Sequence, residues 1–214
     1  MDELTLYLKT GLYNKYNLEE ILNKKITITT NHVDNISTSF CVFLRFDIIN
    51  MFEKYGYIFT DDDYIILIKK NSFMLEYISK DKQTNEICKI AVQETGIILQ
   101  YVSDNNKTYE ICKAAVQQDA WALRYVPENN RTYEICKTAV KKDGFVIANV
   151  PENIKTNEIC KIAVEQNGSS LAYIPENKKT DEICKIAVQQ NKAALQFVPE
   201  NKKYLFIKNE INNI

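Results

Sequence analysis

The side chains in this 214-residue chain that could do chemistry recur at one spacing. Cys88, Cys112, Cys136, Cys160 and Cys184 lie 24 residues apart, with Cys41 outside the series. A thiol column could bind metal or form disulfides, and the spacing argues against both. Stacked helices lie about 10 Å apart, which carries neighbouring Cα atoms beyond the roughly 7 Å limit for a disulfide. No CxxC pair and no histidine accompany the thiols as zinc ligands would require. The column therefore predicts reduced cysteines packed between repeats.

Two basic columns run in phase with it. Lys89, Lys113, Lys137, Lys161 and Lys185 form one; Lys107, Arg131, Lys155, Lys179 and Lys203 form the other. Together they could track a phosphate backbone. Glu86, Glu110, Glu134, Glu158 and Glu182, with Glu128, Glu152, Glu176 and Glu200, are equally regular, which predicts ion pairs on a solvated face instead. A reader of one base per repeat also needs a net positive groove, and the chain carries −1. Tyr77, Tyr101, Tyr125, Tyr173 and Phe197 form an aromatic column interrupted by Asn149. It is read as solenoid core, with base stacking as the alternative. His32 is the one histidine, and no recognisable nucleophile motif surrounds it.

Composition narrows the classes further. With 45% hydrophobic residues and 27 basic against 28 acidic side chains, the chain can bury a core without disulfides or metal. No apolar run approaches the roughly 18 residues of a membrane span; the greasiest stretch, 38 to 49, contains Arg45 and Asp47. The opening MDELTLYLKT lacks a basic segment ahead of an apolar one, so the reading is an intracellular, non-secreted protein. One histidine, five glycines and no phosphate-loop pattern leave little material for most enzymes. Lys, Ile and Asn, whose codons are A/T-rich, make up 73 residues, which points to an A/T-rich genome.

The elements that must position these columns are visible as a repeat. TNEICKIAV at 84, TYEICKAAV at 108, TYEICKTAV at 132, TNEICKIAV at 156 and TDEICKIAV at 180 alternate with LQYVSDNNK, LRYVPENNR, IANVPENIK, LAYIPENKK and LQFVPENKK. Thr84 and its equivalents read as N-caps, and Ile87, Cys88, Ala91 and Val92 as one helical stripe. Helix A is predicted over roughly 84 to 94. A Gly, Asp or Asn breaks it, and the following apolar cluster predicts about two turns of a helix B, ended by Pro127, Pro151, Pro175 and Pro199. Such pairs cannot bury an apolar face alone, so the fold class is mainly α: an α-solenoid of short helix pairs.

Five repeats fill 84 to 203, residues 60 to 83 form a degenerate first repeat, and 204 to 214 read as a C-terminal capping helix with Lys208 at the Cys register. Residues 1 to 59 fall outside the period. Within them, Ser39 through Tyr55 with Gly56 beyond predict an amphipathic helix. ELTLYL and KITITT alternate as strands do around a helical NLEEILNK, giving a small mixed or helical N-terminal cap.

T-x-E-I-C-K-x-A-V followed by L-x-Y-V-P-E-x-x-K in tandem resembles a repeat family of unknown function abundant in giant viruses of amoebae, the mimivirus relatives. The resemblance implies a virus-encoded protein acting in host cytoplasm or packaged in the particle, and it supplies no catalytic or cofactor residues.

The favoured reading is a non-enzymatic scaffold that binds a protein partner. Register positions that vary between repeats gather aromatics and arginine at Tyr109, Trp121, Arg124, Tyr133 and Phe145, types enriched at binding hot spots. Nucleic-acid binding through the Lys and Tyr columns is the second reading. An enzyme with a site near His32 and Asp34 is the third. No cofactor, metal or membrane partner is expected.

Overall fold

Thr84, Thr132, Thr156 and Thr180 each stand in extended backbone and accept the amide of the residue three positions on, at 3.2 to 3.4 Å. That cap satisfies an amide with no partner inside the helix and starts an α-helix ten residues long in every repeat. In this computed structural model, which describes residues 3–10, 18, 20–22, 27–36 and 48–206, the repeat helices are α4 (Asp61–Lys70), α5 (Asn85–Glu94), α6 (Tyr109–Gln118), α7 (Tyr133–Lys142), α8 (Asn157–Gln166) and α9 (Asp181–Gln190). Upstream lie α1 (Glu3–Thr10), α2 (Thr30–Asp34) and α3 (Ile48–Lys54). Among the described residues there is no strand, and the fold is a helical repeat of the solenoid class.

One residue both ends each helix and begins the next. Asn71, Asp119, Asp143, Asn167 and Asn191 adopt extended dihedrals, and their side chains accept the amide two positions on. The second element is a 3₁₀ helix, as in Ala120–Tyr125, Gly144–Asn149 and Gly168–Tyr173, where two α-turns were expected. The segment between cap and proline is seven residues long, six of them in the 3₁₀ helix, which suits i→i+3 bonds such as Val126 N–H to the Leu123 carbonyl at 3.2 Å. The Pro-Glu-Asn return is itself a single 3₁₀ turn at Glu128–Asn130 and Glu176–Lys178.

The chain divides into two units, Met1–Ala114 and Ala115–Ile214, with the division inside α6. In the first, α1 packs on α2, α2 on α4 and α4 on α5. The strand expectation for ELTLYL is overturned: the segment lies in α1, because Leu4, Tyr7 and Leu8, all buried, also satisfy the helical spacing of three and four. Within KITITT, residues 27 to 29 are not strand and Thr30 opens α2; the remaining two residues lie outside the described ones. Leu18 and residues 20 to 22 are helical, as NLEEILNK suggests. Of the helix expected from Ser39, residues 48 to 54 are described, and 39 to 47 lie outside.

Gly56 ends α3 at φ +83°. Its amide bonds to the Glu53 carbonyl at 2.9 Å and the Tyr57 amide to Phe52 at 2.9 Å, a Schellman turn that a left-handed glycine permits. Residues 60 to 83 follow the repeat path. Thr60 caps α4, and the buried Asp63 carboxylate returns to the Thr60 N–H at 2.9 Å and receives the Tyr57 hydroxyl at 2.8 Å.

In the second unit α7 packs on α8 and α8 on α9. Ile135, Cys136, Ala139 and Val140 are buried together, as are Ile159, Cys160, Ala163 and Val164. Small residues set the approach: a methyl on Gly144 would lie 2.4 Å from the Ala163 carbonyl, and one on Gly168 2.2 Å from that of Ala187. The five repeat cysteines are reduced and buried. Three donate to the carbonyl five residues back: Cys112 to Lys107, Cys160 to Lys155 and Cys184 to Lys179. Cys41 and Lys208 lie outside the described residues.

The second basic column departs from expectation. Lys155 and Lys179 are only 5% and 7% exposed rather than solvated. Lys155 Nζ donates to Glu152 at 2.7 Å and to the Tyr173 carbonyl of the next repeat at 3.2 Å; Lys179 binds Glu176 at 2.6 Å and the Phe197 carbonyl at 3.0 Å. Arg131 reaches the Asn149 carbonyl at 3.4 Å and its own Val126 carbonyl at 2.8 Å. In the first unit Gln83 holds the same register and donates to the Tyr101 carbonyl at 3.2 Å. Each of these four side chains reaches 18 residues ahead to a carbonyl at the end of a 3₁₀ helix. The column is a set of stitches between repeats.

Lys155→Gln should therefore melt close to wild type, since Gln83 already does this work, whereas Lys155→Met should lose about 1–3 kcal/mol for an unpaired carbonyl; urea unfolding of the two variants separates them. Cys136→Asp, placing a charge in the buried seam, should cost several kcal/mol, against less than about 1 kcal/mol for the exposed pair broken by Lys161→Ala. Thermal melts read both.

Alkaline pH provides a further check. An isolated thiol titrates near 9, and burial pushes Cys88 and Cys136 up to about 11. The folded chain disfavours the thiolate, so stability is full below pH 9 and falls as pH rises through the window from 9 to 11. Urea midpoints should drop across that window, and drop less in Cys136→Ala.

Candidate interaction surface

With stitches and thiols committed to packing, the remaining polar and aromatic side chains define the surface. The first basic column lies on the repeat helices and pairs forward: Lys137 with Glu158 and Lys161 with Glu182, each at 2.6 Å. Tyr133 donates its hydroxyl to the same Glu158 at 2.5 Å, and the Lys137 ammonium lies 5.4 Å from the Tyr133 ring centre. The hydrogen bond from Lys137, then that from Tyr133, holds the Glu158 carboxyl below its ordinary range, and the bond to Glu158 raises Lys137. These groups face water, so the pairs add little stability. They neutralise Lys137 and Lys161 as steps of a phosphate track.

At the other end of each helix a second set of contacts forms. Trp121, half-buried, donates its indole N–H to Asp143 at 2.9 Å, and Asp143 also accepts the Phe145 amide at 2.9 Å. Asp143 thus caps its own 3₁₀ helix and anchors the aromatic of the preceding repeat. Lys142 donates to the carbonyls of Gln117 and Gln118, which end the preceding helix. The Arg124 guanidinium is exposed and lies 5.7 Å from the Trp121 ring centre and 5.6 Å from that of Tyr125. Phe145 meets Tyr173 of the next repeat edge-on, with centroids 6.2 Å apart. Tyr173 is 47% exposed, which corrects the assignment of the whole tyrosine column to the core.

The five residues singled out from sequence therefore do not form one patch. Tyr133 begins α7 and Trp121 is tied to Asp143 just past its end, so a ten-residue helix of about 15 Å separates them. Trp121, Arg124 and Phe145 lie on the 3₁₀ side. Tyr109, in the first unit, begins α6 with Lys113 5.7 Å from its ring centre, the arrangement repeated by Tyr133 and Lys137.

The sequence reading missed Tyr125 and Tyr173 as surface residues. When three residues make a turn, positions 121 and 124 share a face, as do 145 and 148 and 169 and 172.

His32, the alternative catalytic group, is 5% exposed and occupies the third position of α2. Its Nδ1 accepts the Thr29 backbone N–H at 3.0 Å, so the ring serves as a helix cap. Asp34 gives its backbone carbonyl to Lys70. Among the described residues no group of three His, Cys, Asp or Glu side chains converges to hold a metal, and no helix is long and apolar enough to cross a membrane.

Five overlapping segments, 64–107, 86–131, 108–155, 132–177 and 157–201, match the pattern of a family described as a domain of unknown function, DUF4116. Comparison with curated proteins and with solved structures gives no match. The matched segments extend over well over half of the 214 residues and contain the caps, the thiol column and the stitches described above, and the chain belongs to the DUF4116 family of tandem repeats.

Proposed function

We propose that this chain is a non-enzymatic repeat protein whose work is to bind another protein. One observation supports the reading: the polar side chains that recur in register are taken up by contacts between repeats, whereas positions that differ from repeat to repeat are exposed or half-exposed and hold aromatics and arginine. Lys155, Lys179, Cys160 and Cys184 exemplify the first class. Arg124, Tyr133 and Tyr173 exemplify the second. Solenoids acquire specificity by such variation on a constant stack.

The partner-binding residues in this reading are Arg124, Trp121 and Phe145 on the 3₁₀ side and Tyr109 and Tyr133 on the helix side. A virus-encoded origin, with action in host cytoplasm or packaging in the particle, is the finer form of the proposal; the A/T-rich codon usage implied by 73 Lys, Ile and Asn residues supports it. Nucleic acid is the weaker reading, because Lys155 and Lys179 are buried and Lys137 and Lys161 are paired. Affinity capture followed by mass spectrometry, with wild type and a Tyr109/Arg124/Tyr133 triple-alanine variant, tests the proposal. Partners retained by wild type should be depleted with the variant, and identical partner sets would defeat this choice of residues.

A further inference from the structure

Arg124 is the one basic residue at its register, where the repeats carry Glu76, Gln100, Ala148, Ala172 and Gln196. Its guanidinium lies between two rings, 5.7 Å from Trp121 and 5.6 Å from Tyr125, and among the described residues no carboxylate pairs with it. An exposed guanidinium held by aromatic faces keeps its planar fork of donors pre-organised for a carboxylate. Beyond it the same register holds Ala148 and Ala172, both exposed. Their small side chains leave a low shelf bordered by Phe145 and the 47% exposed Tyr173, which touch edge-on.

We propose that this strip of the second unit is a docking site for an extended peptide segment of a partner protein, one that places an acidic side chain on Arg124 and apolar side chains on the shelf over Ala148. The inference rests on the protein-binding reading above and deepens it by naming the partner's chemistry. Repeats stacked about 10 Å apart put Arg124 and Tyr173 roughly 20 Å apart, the reach of about six extended residues at ~3.3 Å each. The strip's edge discriminates against a polyanion. Lys155 Nζ binds both the Glu152 carboxylate and the Tyr173 carbonyl, which puts that carboxylate within about 6 Å of the carbonyl. The Glu152 side chain is 70% exposed and that of Lys155 only 6%. A peptide with one acidic group meets one cation on this strip; a phosphate chain would meet carboxylates at the next step.

Trp121 is the chain's one tryptophan, so its emission reports on the strip directly. Random nine-residue peptides are displayed and selected on the intact chain, and the most enriched sequences are synthesised and titrated while Trp121 emission is followed. The expected result is peptides sharing an Asp or Glu within about six residues of an aromatic or aliphatic side chain, with saturable emission changes. Arg124→Glu should weaken these at least tenfold and, when itself used for selection, enrich Lys or Arg at the same position. Arg124→Lys, which keeps the charge and loses the planar stack, should fall between.

Peptides without a common acidic residue, or with affinity unchanged in Arg124→Glu, would overturn the inference, as would failure of any peptide to enrich. A single-stranded RNA oligomer that shifts Trp121 emission in a salt-dependent manner and loses the effect in Arg124→Glu would also overturn it, in favour of phosphate. The two levels separate in the capture experiment. Partners held equally by wild type and Arg124→Glu remove this strip and leave protein binding standing; no partner at all removes both.

Discussion

A 24-residue unit of one α-helix and one 3₁₀ helix has an apolar stripe and nothing of its own to cover it. Ile159, Cys160, Ala163 and Val164 occupy one face of α8, and the short 3₁₀ segment after it cannot shield them unaided. The stripe is buried because the neighbouring repeats close on it, and at about 25 cal/mol per Å² of apolar surface this dominates the favourable side of folding. The closeness of that approach constrains much else in the second unit. Backbone carbonyls of Ala163 and Ala187 sit where a methyl on Gly144 or Gly168 would intrude, so the register between the end of one helix and the middle of the next admits only small residues. Ala120 holds the same register one repeat earlier and is buried, so a methyl is accommodated there.

Close stacking creates a polar problem that the basic column resolves. A 3₁₀ helix that stops leaves its last carbonyls without partners inside the helix. A long side chain with a terminal N–H donor threads between repeats to reach them. Gln83, Arg131, Lys155 and Lys179 do so with three different head groups, so the requirement is for a donor on a long stem and the charge is secondary. Glu152 and Glu176 then neutralise the buried ammonium groups from the solvent side.

Sequence alone revealed the part of this that obeys a local rule. Threonine caps, the Ile-Cys-x-x-Ala-Val stripe and the prolines each act within a turn of where they stand, and α5 through α9 follow from them. What failed depended on distance or on a tie between two periods. Lys155 reads as a solvated charge until the Tyr173 carbonyl, 18 residues away, is known to need a donor; the presence of Gln83 in a column of Lys and Arg was the available hint. ELTLYL satisfies the strand period and, through Leu4, Tyr7 and Leu8, the helical one as well, and packing against α2 decides in favour of α1. The candidate site was half legible. Residue types picked out Trp121, Arg124 and Phe145, but placing Tyr133 with them ignored the length of α7, and assigning Tyr173 to the core overlooked that Leu171 and Ile174 on either side of it already fill that space.

The central claim is that stability resides between repeats, leaving the variable faces free for recognition. Stepwise removal of C-terminal repeats, comparing the full chain with chains ending at Thr180 and at Thr156, tests this by equilibrium urea unfolding. Each deletion removes one interface, so the unfolding midpoint and the denaturant slope should both fall with every repeat lost. Midpoints that stay constant as repeats are removed would mean that the units fold independently, and would contradict a stability held between the repeats.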